Sequence, residues 1–280
     1  MVTKESMKEI VKRKYAEIAL QETAGNPSSC CGSACCGTDG TNIMSEDYTS
    51  LSGYNPDADL GLGCGLPTQF AKIKKGDVVI DLGSGAGNDC FIARAETGEM
   101  GKVIGIDFTE AMINKARENT EKLRFNNVEF RLGDIENMPV TSNSADVIVS
   151  NCVLNLVPNK PAAFSEIFRV MKPGGHFSIS DIVLKGNLPE KIKVAAEMYS
   201  GCVAGALEKN AYMEIIRQNG FKGIVILKEK LITLPDDILK NYLSDSEVEE
   251  FRQSGVGIFS ITVYAEKPKA EACCEPGCCQ

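Results

Sequence analysis

From residue 76 onward, short apolar runs alternate with amphipathic stretches, and no other feature of the chain limits its possible folds so tightly. The runs are Val78-Val79-Ile80, Val103-Ile104-Gly105-Ile106, Val128-Glu129-Phe130, Val147-Ile148-Val149 and Phe177-Ser178-Ile179, with helical patterns between them at 89–97, 110–123 and 160–170. Near-continuous apolar runs are the signature of strands buried on both faces. Their alternation with helices predicts parallel βαβ units, an α/β protein with a Rossmann-like, doubly wound sheet. After Asp181 the rhythm changes: 189–219 reads as helical with Gly220 as its stop, and strand-like runs follow at 223–231 and 258–265. Ahead of the core, 5–20 spaces Met7, Ile10, Val11, Ile18 and Ala19 as one helical face. The expected division is an N-terminal helix and Cys-rich loop (1–45), a core (46–183), a small C-terminal α+β elaboration completing the sheet (184–266), and a flexible Cys-rich tail (267–280).

Composition narrows the chemistry. The chain has 280 residues with 12 Cys, one His and a net charge of −8. Cysteine is too dilute for a disulfide scaffold, and one histidine, His176, excludes sites built on several imidazoles. His176 itself reads as a turn-edge residue without a role. Acidity argues against a nucleic-acid partner, which calls for a basic face. No segment reads as a signal peptide or a membrane span, so a cytoplasmic location with reduced thiols is expected. In that setting cysteine points to redox chemistry or a soft ligand. Eight cysteines form two copies of CC-x3-CC: Cys30, Cys31, Cys35, Cys36 and Cys273, Cys274, Cys278, Cys279. Either copy could hold zinc, although the spacing is tighter than in usual sites; a thiol reservoir for a soft element is the preferred reading. Cys64, Cys90, Cys152 and Cys202 stand alone.

The first strand runs into Asp81-Leu82-Gly83-Ser84-Gly85-Ala86-Gly87-Asn88, a glycine turn between strand and helix. Such turns let a cofactor approach the backbone. The spacing D-x-G-x-G-x-G differs from the dinucleotide pattern, and an acid beside the glycines suits the cationic methionine end of S-adenosylmethionine, which has no phosphate. Asp107 ends the second strand, where a carboxylate can accept from both ribose hydroxyls. Asp134-Ile135 follows the third and can address adenine. The stretches VVIDLGSGAGNDCF, VIGIDFTEAM, LGDIE and RVMKPGG resemble the class I S-adenosylmethionine-dependent methyltransferases over about 76–183. That resemblance implies a seven-stranded sheet. It assigns Asp81, Gly83, Gly85 and Gly87 to the methionine end, Asp107 to the ribose, and Asp134 and Ile135 to adenine, with Ser84 a further cofactor contact. Phe108 and Met112 would pack on the adenine, and Asn151 joins the cofactor contacts.

The acceptor in this fold meets the methyl group near the end of the fourth strand. Instead of an Asn/Asp-Pro-Pro-aromatic motif, the chain has Ser150-Asn151-Cys152-Val153-Leu154-Asn155-Leu156 there. A thiol with no acid–base pair beside it suggests an acceptor held by sulfur that attacks through its own lone pair. Cys64 in Leu60–Pro67 and Cys202 in Ser200–Ala206 share a setting of small residues, whereas Cys90 reads as core. With LGLGCGLP, DLGSGAGNDCF, SNCVLNL, SGCVAGA and SSCCG upstream, the chain resembles the arsenite methyltransferases over about 8–267. The resemblance implies that Cys64, Cys152 and Cys202 bind trivalent arsenic as thiolates, and that Cys30 or Cys31 pairs with the Cys64 position in a disulfide. A thiol reductant, thioredoxin or glutathione, is expected as co-substrate, since methyl transfer oxidises arsenic, and the chain is expected to be a monomer. Two rivals stay open. A quinone- or sterol-type C-methyltransferase would be insensitive to thiol blocking, and a thiol-rich sequestering protein would bind arsenite without transferring methyl.

Overall fold

In the computed structural model, residues 4–20, 46–192, 203 and 205–269 are described. The expected strands are β1 (Val78–Leu82), β2 (Lys102–Asp107), β3 (Val128–Leu132), β4 (Ala145–Asn151) and β5 (Met171–Lys185). They pair in parallel in the order β3-β2-β1-β4-β5. Two later strands, β7 (Lys222–Ile232) and β8 (Gly257–Glu266), complete the sheet, with β8 antiparallel between β5 and β7. The result is a mixed α/β sheet of the class I methyltransferase type, whose strand order reverses between β1 and β4. In open sheets of this kind the crevice beyond the carboxyl ends of the strands at that reversal is where ligands bind.

Period-2 alternation distributes β1 between two cores. Ile80 and Leu82 point to a cluster with Ile104, Phe164 and Phe177, while Val79 points to one with Val103, Val147, Phe91 and Met112. The N-terminal helix α1 (Lys4–Leu20) buries Ile18 and Ala19 in the second cluster. A single turn, α2 (Pro67–Phe70), precedes β1, and the helices between the parallel strands are α3 (Asn88–Thr97), α4 (Glu110–Leu123) and α5 (Lys160–Val170). Asn159 caps α5, its side chain accepting from the Ala162 N–H. A third cluster forms where the C-terminal elaboration meets the sheet, and it holds Cys64, Cys152, Ile182, Leu184, Ile232 and Ile258.

The helical reading of 189–219 is corrected in part. Residues 190–192 are helical as expected, but a two-residue strand, β6 (Leu207–Glu208), breaks the pattern before a second helix, α6, runs over Lys209–Gln218; 193–202 and 204 lie outside the described residues. The cause lies in β5, which pairs with β4 only as far as Ser180. Beyond that point its free edge offers backbone groups that need partners, and Val183 and Leu184 pair with Leu207 and Glu208. The Glu208 carboxylate then accepts from the Asn210 and Ala211 N–H groups and starts the helix. His176 is likewise not an idle edge residue. Its Nε2–H donates to the Ala71 carbonyl at 2.6 Å and its ring lies 5.2 Å from that of Tyr264. Among the described residues no helix is long and apolar enough to cross a membrane, and no cluster of His, Cys, Asp or Glu could hold a metal ion. Cys30, Cys31, Cys202 and both CC-x3-CC motifs lie outside the described residues.

Candidate active site

A cavity of about 140 Å³ opens at the carboxyl ends of β1, β2 and β4. The glycine turn forms its floor. Gly83 and Gly85 have φ of 66° and 51°, in the left-handed region that favours glycine. A Cβ on Gly83 would stand 2.3 Å from Val153, whereas one on Gly85 would meet nothing within 4 Å and would project into open space. Gly87, with φ of 100°, serves the packing instead, because its bare Cα lets Phe91 and Phe130 close against the turn.

Three buried carboxylates face this space. Asp81 lies near the end of β1 with its side chain toward the cavity, and Cys90 donates its thiol to Asp81 Oδ2 at 3.2 Å. Cys90 is buried, as a core reading implies, yet it also orients a carboxylate. Burial, reinforced by Asp89, pushes the Asp81 carboxyl well above its ordinary value. Asp89, in the first turn of α3, is pushed up to about 6 by burial, against hydrogen bonds from Asn151, Tyr48 and Thr68. Asp107 is raised by burial too, although it accepts from the Gly85 N–H at 3.1 Å and the Thr109 N–H at 2.7 Å. Thr109 occupies the N-cap position of α4, but its own hydroxyl makes no cap bond. Carboxylates crowded and desolvated in this way favour a cationic ligand, which would return them to their charged forms.

The polar lining independently fits a nucleoside-like cofactor. Ser84 Oγ and Asn88 Oδ1 are buried without a hydrogen-bond partner, and both residues line the cavity. A buried polar atom left unsatisfied costs about 1–3 kcal/mol, a cost that a ligand bearing hydroxyl, amine and carboxylate groups would relieve. At the far end, Phe108, Asp134 and Ile135 line the wall. Asp134 is held by Lys8 of α1, whose ammonium lies 2.6 Å from it and 2.5 Å from Glu136. Lys8, Val11 and Tyr15 all line the cavity from one stripe of α1. Met112 does not: it is fully buried behind the wall, in the cluster with Phe91 and Ile113.

On the other side, the cavity reaches Gly63, Asn151 and Cys152. Cys152 leaves β4 with φ of 60°, a left-handed conformation costing roughly 1–2 kcal/mol in a residue other than glycine. Its N–H is pinned to the Ser180 carbonyl at 2.8 Å. Non-glycine residues held in this region cluster at functional sites. Cys64 arrives from the preceding loop, its N–H donating to Asn151 Oδ1 at 3.0 Å and its carbonyl accepting from Ser260 Oγ at 2.6 Å. Cys64 and Cys152 are 1% and 3% exposed, stand as thiols and share the third cluster. The glycines beside Cys64 permit this approach. A Cβ at Gly63 would lie 2.7 Å from Asn151 Nδ2, and one at Gly65 would lie 2.5 Å from Ser180 Oγ. The structure therefore brings two of the three solitary cysteines expected at the site into one buried cluster, and Cys152 also lines the cavity.

Sequence reasoning passed over Asp89, Tyr48 and Lys8. Asp89 carried a usable signal, since an acid in the first turn of a helix leaving a glycine loop faces the same crevice as the loop. Tyr48 sits in a loop with no periodicity, and Lys8 acquires its place only when α1 docks.

A sheet in this order, a glycine turn at its reversal and a carboxylate at the end of each of the first two strands define an S-adenosylmethionine-dependent methyltransferase. In agreement, a family model described as a methyltransferase domain matches residues 73–220. The chain is 40% identical to an arsenite methyltransferase of Halobacterium salinarum over 94% of its own length and 67% of that protein. It is 33% identical to an arsenite methyltransferase of Aquipseudomonas alcaligenes, over 86% of this chain and 69% of that one. Among solved structures, an arsenic(III) S-adenosylmethionine methyltransferase from Chlamydomonas reinhardtii superimposes with a TM-score of 0.61 at 32% identity, covering 74% of this chain and 68% of the other. Within the methyltransferases, the chain belongs to the arsenite methyltransferase family.

Proposed function

We propose that this protein transfers a methyl group from S-adenosylmethionine to trivalent arsenic held by its own cysteine thiolates, with Cys64 and Cys152 as two ligands and Cys202 as the third. The observation that carries this reading is the convergence of Cys64 and Cys152, 88 positions apart in the chain, in one buried cluster, with Cys152 itself lining the cofactor cavity. Soft thiolates select a soft thiophilic centre over the hard cations that carboxylates prefer.

When bound, S-adenosylmethionine supplies a methyl group on a cationic sulfur, open to displacement by a lone pair. On this reading Asp81 and Asp89 would hold the cationic amino-acid end, Asp107 the ribose, and Phe108, Asp134 and Ile135 the base. The thiolates fix arsenic with its lone pair free, so the residues contribute proximity and alignment. No general base is required, because the nucleophile carries no proton to lose. Methyl transfer formally oxidises arsenic by two electrons, and a pair of thiols from thioredoxin or glutathione would return it to the trivalent state. Cys30 and Cys31 are the candidate internal thiols for that exchange. A quinone-type acceptor is less well supported, since it leaves the paired thiols without a role.

The Cys152→Ser variant tests this reading. It is expected to bind S-adenosylmethionine as the parent does and to lose arsenite methylation by about 100-fold or more, the scale on which misplaced reactants lose rate. Unchanged turnover would refute the assignment of Cys152.

A further inference from the structure

Among the described residues, Asn151 joins the two cysteine-bearing segments through a single side chain. It precedes Cys152 directly in the chain, and its Oδ1 accepts from the Cys64 N–H at 3.0 Å. Its Nδ2 donates to the Gly65 carbonyl at 2.8 Å and lies 3.2 Å from Asp89 Oδ2, and it also donates to the Tyr48 hydroxyl. Tyr48 strengthens the same knot, its hydroxyl 3.0 Å from the Gly65 carbonyl and 3.1 Å from Asp89 Oδ2. Asn151 therefore grips the Cys64-Gly65 segment at both ends, at the N–H of Cys64 and the carbonyl of Gly65. The absence of a side chain at Gly63 leaves the space this grip needs.

We infer that Asn151 is a positioning residue that sets the spacing between the Cys64 and Cys152 thiols, and that Gly63 keeps room for its amide. The inference rests on the reading of these thiols as arsenic ligands. A primary amide suits this role because it accepts at one atom and donates at another within one planar group. A carboxylate cannot donate to the Gly65 carbonyl and would face Asp89 with like charge. An aliphatic side chain would leave the Cys64 N–H and the Gly65 carbonyl without the amide's bonds. The left-handed turn at Cys152 completes the arrangement, with its N–H tied to Ser180 so that the thiol departs from a fixed point. Three elements thus meet at one amide: the end of β4, the Cys64 loop and the start of α3.

Two variants disturb this grip by opposite means. Asn151→Ala deletes the amide, whereas Gly63→Ala keeps the amide and drives a methyl group against it; Gly63 is not in the left-handed region, so its backbone accepts alanine. The thiol spacing is read in the full chain with dibromobimane, a reagent that bridges two nearby thiols, followed by peptide mass spectrometry of the Cys64–Cys152 bridge. Cofactor affinity is read by calorimetry and folding by thermal melting. The expected result is that both variants lose bridging by about 10-fold or more, with methylation falling in step, while in Gly63→Ala the Kd for S-adenosylmethionine moves by less than about threefold. Full bridging in a folded Gly63→Ala protein would overturn the inference. So would an Asn151→Ala protein that bridges normally and loses only cofactor affinity, which would make Asn151 a cofactor contact alone. If the parent protein bridges Cys64 to Cys152 yet methylates no arsenic, the proposed function fails and the positioning role stands.

Discussion

Asp81, Asp89 and Asp107 sit within one wall, each raised above its ordinary range by burial. Asp89 provides the clearest pH signature. With its carboxyl near 6 in the fold and near 3.8 when unfolded, the folded state keeps a proton that the unfolded chain releases between those values. Stability of the ligand-free protein on this account falls as pH rises from about 4 to about 6. Binding of a cation runs the other way, because a positive charge favours the ionised carboxylate. Affinity for S-adenosylmethionine should therefore tighten as pH rises through 6, by up to about 10-fold per unit below it. Calorimetry in two buffers of different ionisation enthalpy should detect a released proton; a flat profile with no proton release would contradict this. At the same scale, the readable residues were those tied to chain geometry. Asp81, the glycines and Asp107 are fixed by where strands end, so spacing reveals them. Cys90 and Met112 were harder, since burial alone does not say whether a side chain faces the core or the ligand.

The element with the most to gain from docking is α1. Its apolar face reads directly from sequence, yet the stripe of Lys8, Val11 and Tyr15 along the cavity depends on which surface the helix meets. Lys8 bridges Asp134 and Glu136 from more than 120 positions away. Partly exposed ion pairs each contribute only about 0–1 kcal/mol, so neutralising Lys8 should have a small effect. Reversing it sets three acids together. The Lys8→Glu variant is expected to weaken S-adenosylmethionine binding by about 10-fold at low ionic strength, less in high salt, and to speed amide exchange across 4–20. Unchanged affinity and exchange would show that α1 is held without this pair. The strand inside the stretch read as helical teaches the same lesson. Leu207 and Glu208 carry no strand signal of their own, and only the length by which β5 outlasts β4 calls them into the sheet.

Across the whole molecule, the parallel core was legible because burial on both faces leaves long apolar runs that little else explains. The order of β7 and β8 was not, since either antiparallel arrangement satisfies the same pattern. The division of labour follows from the sheet. Its reversal point presents the glycine turn and three carboxylates, while the C-terminal elaboration packs over the adjoining edge and encloses Cys64 and Cys152 in an apolar cluster. On the proposed function, one side of the site serves a cationic donor and the other a thiophilic acceptor. Incubating the full chain with arsenite, a thiol and S-adenosylmethionine carrying an isotopically labelled methyl group, then separating arsenic species, tests that design most directly. The account predicts labelled methyl on arsenic, formed in proportion to S-adenosylhomocysteine. A protein that binds both partners and leaves all arsenic unmethylated would contradict it.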